Sequence, residues 1–231
     1  MPAASTTLRM LAVSVIASLT VTGCQTFEDA GVAMGRSELV NDLAARLDRA
    51  LELTYSADYQ LPGGQSAAIV QAQDPARSAY TYPGGRLTVT PEAITRCTTT
   101  GARPECTLVD PPTPGSKPTV MLFGEANRQG LATPPVVVGL LTAAALDPQV
   151  VIKQSDTTVA GHHAACVEVQ GSPSGDFTAC VTTEGVLGSF TGPVDGKPME
   201  LALSRYTERV DDSAFDVPAG AGVVDRRPGG A

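Results

Sequence analysis

The sequence has no tryptophan and only five tyrosines and five phenylalanines. Its core must therefore come from valine, leucine and alanine, with few large rings to fill gaps. Basic residues are also scarce. Against 24 Asp and Glu there are 16 Lys and Arg, a formal net charge of −8. A nucleic-acid binder needs a basic footprint, and this chain has none. An acidic body is not drawn electrostatically to an anionic membrane either. Beyond the first 23 residues there is no long apolar run, since 134–146 is too short to span a bilayer. There is no internal repeat and no long linker.

Catalytic motifs are missing as well. Gly171-Ser172-Pro173-Ser174-Gly175 nearly spells a nucleophile elbow, but Pro173 sits where the serine belongs. Gly196-Lys197-Pro198 lacks the Walker spacing and its Ser/Thr. His162 and His163 are the only histidines. Strand alternation puts His163 on the apolar face with Val167 and His162 on the other. Either could be a general base or pH switch, or simply a strand-end residue at a rim. A metal reading would join His163 to Cys166, but no second CxxC or HxxxH supports it. The expectation is a non-enzymatic protein with no cofactor and no metal.

What is present begins with a leader. Arg9 is the only charge before residue 28, and an apolar stretch from Met10 to Thr22 follows it. This is the layout of a signal peptide. It ends in Val21-Thr22-Gly23-Cys24, which resembles the bacterial lipoprotein lipobox. That resemblance implies cleavage after residue 23, lipidation of Cys24 and anchoring to the cell membrane outside the cytoplasm, two acyl chains sufficing for stable attachment. Residues 24–36 read as a tether, at most about 40 Å if extended.

Export to an oxidising compartment favours disulfides among the other four cysteines. The segments 162–170 and 176–183 read as strands around the turn 171–175. With the hairpin centred on Pro173, Cys166 faces Cys180, Val167 faces Ala179 and Val169 faces Phe177. The same register gathers Ala165, Val167, Val169, Phe177, Ala179 and Val181 on one face, so alternation and disulfide agree. Cys97 and Cys106 likewise flank a turn, which predicts Cys97–Cys106 and Cys166–Cys180.

Along the rest of the chain, Ser37 is a plausible N-cap. Leu39, Leu43, Leu47 and Leu51 then repeat at i+4, as an amphipathic helix requires. Short strands separated by Gly- and Pro-rich turns follow from Leu53 to Val109. Residues 111–118 form a Pro-rich connector. The apolar 135–146 reads as a buried helix, and further strands run from Val150 to a last long one carrying Met199, Leu201 and Leu203. Residues 220–231 read as a frayed tail. The order predicts an α+β fold with about ten short antiparallel strands, a number that should make the sheet curl. A single domain is expected over 37–219.

The helix from Ser37, the strand Leu53-Thr54-Tyr55-Ser56-Ala57-Asp58-Tyr59 and the ending from Leu201 through Phe215-Asp216-Val217-Pro218 together resemble the LolA/LolB-like superfamily, which includes the LppX/LprG-type lipoproteins. The resemblance implies a curved antiparallel sheet, an unclosed half-barrel with helices on its concave face, holding acyl chains of lipids or lipoproteins. Candidate cavity-lining residues are Val136, Val138, Leu140 and Leu141 of the apolar helix, with Val167, Val169, Leu201 and Leu203 facing them. The expected partners are the membrane, through the acyl anchor, and a lipid or lipoprotein ligand. The competing expectation is a ligand-free interaction or sensing module on the same fold. Cys24→Ala should release the protein from the membrane fraction, and an Ala variant that still sediments after a high-salt wash would refute the anchor.

Overall fold

The computed structural model describes residues 24–113, 115–116 and 118–228, with 24–36 described by their backbone. The leader, residues 1–23, lies outside the described residues.

The leucine stripe does form a helix, and the helix is longer than its N-cap signal implies. α1 runs unbroken over Cys24–Arg49. The stretch 24–36 is therefore helical rather than an extended tether. It contains no proline, and its two glycines weaken a helix without ending it. At helical rise it spans about 20 Å instead of about 40 Å. Val40, Leu43, Ala44, Leu47 and Ala50 are buried along one face. Arg46 pairs with Asp42 at 2.6 Å on the outer side. Arg46 and Arg49 also sit in the last turn, where a positive charge complements the helix dipole.

Two meanders make the sheet. The first comprises β1 (Tyr55–Gln60), β2 (Ser66–Ala72), β3 (Arg77–Tyr82), β4 (Gly85–Val89), β5 (Ile94–Thr98) and β6 (Glu105–Val109). A short helix α2 (Gly124–Arg128) and α3 (Pro134–Leu146) follow. The second meander comprises β7 (Val151–Val159), β8 (His162–Gln170), β9 (Phe177–Thr182), β10 (Leu187–Val194) and β11 (Lys197–Thr207). Antiparallel pairing of β1 with β11 joins the two. With β12 (Gly222–Asp225) the sheet has twelve strands, in the order β12-β6-β5-β4-β3-β2-β1-β11-β10-β9-β8-β7. Its outer strands β12 and β7 do not pair with each other, so the sheet is open and the fold is α+β.

β12 corrects the expectation of a frayed tail at 220–231. It pairs parallel to β6, with Gly222 opposite Glu105 and Asp225 opposite Leu108. Without it β6 would be an edge with unpaired backbone groups, and Val223 and Val224 favour extended backbone. The Gly222 N–H donates to Pro104 O and the Arg226 N–H to Leu108 O, both at 2.9 Å. Arg227 secures the end, pairing with Asp225 at 2.5 Å and donating to Glu92 O at 3.3 Å.

α3 begins with two prolines, which the first helical turn accepts. It packs against α1. Its exposed side is made of Gly139, Thr142, Ala143 and Leu146. Its buried side, with that of α1, shares one continuous core with the inward residues of β1–β4 and β8–β11. Both cysteine pairs bridge directly opposed residues: Cys97–Cys106 across β5 and β6, Cys166–Cys180 across β8 and β9. The 162–183 hairpin has the register expected from Pro173, including Val167 opposite Ala179 and Val169 opposite Phe177. Where β10 passes β9, a Cβ on Gly192 (φ +154°) would lie 2.3 Å from Phe177 Cβ, so only glycine fits.

Candidate functional site

The eight residues expected to line a cavity lie in the packed interior. Val136, Leu141, Val167, Val169, Leu201 and Leu203 are core residues, and Val138 and Leu140 pack half-buried against them. None of the eight borders the apolar groove of the protein.

That groove lies at the end of α1, where Arg49 gives way to a single 3-10 turn at Ala50–Glu52. There the helix stops covering the sheet, and the strand ends of β2, β3 and β4 stand open. The Pro-rich connector, through Pro112, Thr113 and Pro118, crosses above them. The space enclosed is about 520 Å³, within the range of small-molecule sites. Leu51, Ala76, Tyr80, Val89, Pro91, Pro112 and Pro118 make most of its wall apolar, and Asp48 and Glu52 bring carboxylates to it.

Polar atoms inside the groove are held by the backbone of the α1–β1 link. Gln71 Nε2 donates to Leu51 O. Gln73 Nε2 donates to Leu51 O at 3.0 Å and to Leu53 O at 3.3 Å. Arg77 pairs with Asp212 at 2.7 Å and lies over the Phe215 ring at 4.4 Å. Gln71 Oε1, however, is buried without a partner, as is the Tyr80 hydroxyl.

Tyr80 belongs to a wider set. Tyr55, Tyr59 and Tyr80 are fully buried, and none of their hydroxyls makes a hydrogen bond. Burial pushes the Tyr55 phenol well above its ordinary range, with Tyr59, Tyr80 and Tyr206 adding to the shift. Burial alone raises Tyr59. Tyr80 is pushed up to about 12 by burial, partly offset by the Ser78 hydroxyl beside it. All three phenols are therefore protonated donors at neutral pH. Tyr80 meets Phe123 edge-on at 4.9 Å, and Tyr55 stacks on Tyr206 at 6.1 Å.

The histidines are elsewhere. His162 is half-buried, with its Nδ1 2.8 Å from Glu184 Oε1 and its ring edge-on to Tyr206 at 5.3 Å. His163 is exposed rather than on the apolar face, because strand alternation no longer has a core beneath it at the end of β8. Burial pushes the Glu184 carboxyl up, but hydrogen bonds from His162, its own backbone and Thr182 outweigh this and hold it below the usual range. Glu184 borders a second cavity of about 420 Å³, with Arg46, Arg49 and Glu52. A third, of about 550 Å³, has a mixed lining and lies among Tyr82, Arg96, Met121, Glu125 and Arg128. Among the described residues no three His, Cys, Asp or Glu side chains converge as metal ligands would. No helix among them is long and apolar enough to cross a membrane.

Sequence reasoning missed the groove residues, although one signal was present. Gln71 follows Ala67 and Ile69 at inward positions of β2, and Ser78, Tyr80 and Tyr82 share a parity on β3. Polar groups at the inward period of a strand mark either a rim or a site.

No model of a known protein family matches the chain, and no curated protein matches it. Among solved structures it is similar to an uncharacterised conserved protein from Thermus thermophilus, with 12% identity and a TM-score of 0.44 over 80% of this chain and 98% of that one.

Tyr59→Phe removes a buried hydroxyl that has no partner, so it should leave stability unchanged or raise it by about 1 kcal/mol in urea unfolding. A loss larger than this would show that the hydroxyl is bonded in solution.

Proposed function

We propose that this chain is a lipid-anchored cell-envelope protein that takes a hydrophobic ligand, a lipid or an acylated molecule, into the groove between the end of α1, β2–β4 and the Pro-rich connector. The observation that carries this reading is the groove itself, about 520 Å³ and mostly apolar. Support comes from three further features. The leader ends in a lipobox-like Val21-Thr22-Gly23-Cys24. Two disulfides suit an oxidising compartment. The sheet is open, with α1 and α3 sharing its inward core. In this reading the helices lie on the concave face of an unclosed half-barrel of the LolA/LolB-like kind. Ligand enters beside α1 rather than between α1 and α3. With Cys24 acylated, the first turns of α1 carry the groove away from the bilayer surface.

One observation favours a second reading. The interior between α1, α3 and the second meander is filled, and all eight expected lining residues pack in or against it. A protein with such an interior serves equally as an interaction module with no ligand.

Ala76 separates the two. It is exposed at the groove's edge, so a large residue there blocks the groove without overpacking the core. Ala76→Trp should abolish binding of a fluorescent acyl probe and leave the melting temperature unchanged. Wild-type protein that binds no probe would leave the interaction reading standing.

A further inference from the structure

The two ends of the sheet are finished differently. β12 is four residues long, and Arg227 closes it by pairing with Asp225 and donating to Glu92 O. β7, at the other end, has nine residues and among the described residues pairs only with β8. The ladder beyond it shows which of its backbone groups are free. The Thr183 N–H donates to His163 O at 2.9 Å, so His163 and the alternate residues Ala165, Val167 and Val169 direct their backbone groups to β9. Cys166, whose Cα lies 4.0 Å from that of Cys180, belongs to the close, non-hydrogen-bonded kind of pair, and turns its N–H and C=O to Ser155 of β7. The odd-numbered residues of β7 are therefore used by β8. Ile152, Gln154, Asp156 and Thr158 direct theirs away from the sheet, and among the described residues no strand takes them up. Side chains give no cover either. All residues from Lys153 to Thr158 are exposed, including Gln154 and Asp156 on the inward face opposite Val167 and Ala165.

A row of unpaired donors and acceptors is a template for another strand. We infer that the free edge of β7 pairs with the same edge of a second copy, antiparallel about a two-fold axis at Ser155. Such an axis stands normal to the sheet and passes through one residue, which then lies opposite itself. At Asp156 it would set two carboxylates against each other, and at Lys153 two ammonium groups. At Gln154 it would place Asp156 opposite Ile152. At Ser155 it places Gln154 opposite Asp156, Lys153 opposite Thr157, Ile152 opposite Thr158 and Val151 opposite Val159. In that register no like charges meet, the Gln154 amide can donate to the Asp156 carboxylate, and every residue of the strand is paired. The four outward residues of each copy then use both their N–H and their C=O. Charge favours this edge as well. Two chains of net charge −8 repel, whereas β7 carries one lysine and one aspartate and is locally neutral. No residue of β7 borders the groove, so the inference does not depend on the carrier reading.

The test is disulfide trapping in cells expressing the full chain, read by non-reducing electrophoresis. Ser155 would face its own copy in a non-hydrogen-bonded pair, with Cα atoms about 4.5 Å apart, so Ser155→Cys should yield a covalent dimer. Thr157 would lie about 14 Å from its own copy, beyond disulfide reach, so Thr157→Cys should link at least about tenfold less. Thr157→Cys expressed together with Lys153→Cys should link again, because those two positions oppose each other. Gln154→Pro removes an outward N–H that β8 does not use, which an edge strand tolerates. Added to Ser155→Cys it should cut linking by at least about tenfold, since each dimer loses a bond from either copy. Thr158→Pro should act likewise, and the melting temperature of each proline variant should stay near that of the wild type. Ser155→Cys protein that stays monomeric overturns the inference. So does Thr157→Cys protein that links as readily as Ser155→Cys, or linking that survives both prolines. Each of these results leaves the carrier reading untouched.

Discussion

The ladder between β1 and β11 holds the rest of the structure together. Among the described residues it is the only pairing that makes one sheet of the two meanders. Its register shifts between Asp58 and Tyr59. On the outer side of that shift Arg205 pairs with Asp58 at 2.6 Å, and Ser204 Oγ donates to Asp58 O at 3.0 Å. On the inner side Ala57 faces Tyr206 and Tyr59 faces Leu203. A bulge of this kind increases local twist. The buried face of α1 shares one core with apolar residues of both meanders. Were the ladder lost, α1 and α3 would keep each other but lose half of the sheet that covers them.

The two halves are covered differently, and the groove follows from that difference. α1 and α3 lie together, and their buried sides share the core with the second meander's inward residues. That part of the interior is closed by valine, leucine and phenylalanine, with Phe177 and Phe190 stacked at 5.9 Å. In the first meander, coverage ends with α1 at Arg49. Beyond it, prolines of the connector do what a helix would otherwise do, and they leave space. The unmatched hydroxyls of Tyr55, Tyr59 and Tyr80 belong to strands of this first meander, and of the three Tyr80 borders the groove. Interiors keep such groups only where something offsets their desolvation, or where a function requires them.

Much of this was legible in the sequence, for local reasons. The Pro173 turn set the register of β8 and β9, and with it one disulfide, because side-chain period and cysteine spacing demand the same alignment. The i+4 leucines marked the core face of α1. By contrast, Pro134–Leu146 carries almost no polar residue, so its exposed side could not be read from pattern and was settled by packing against α1. Nothing local signals that 24–36 continues the helix or that 222–225 adds a parallel strand, since that strand depends on the open edge of β6, far away in the chain. The groove was invisible for the same reason. It exists only where the end of α1, three strand ends and the connector meet.

The central claim is that the protein carries a ligand in this groove. Native mass spectrometry of protein extracted gently from its own membrane tests it most directly, with Ala76→Trp prepared in parallel. The account predicts a discrete adduct on the wild-type protein, of a mass fitting a lipid or an acylated molecule, and its loss from the variant. A wild-type protein that leaves the membrane with only its covalent acyl groups, or an adduct that persists on Ala76→Trp, would contradict it.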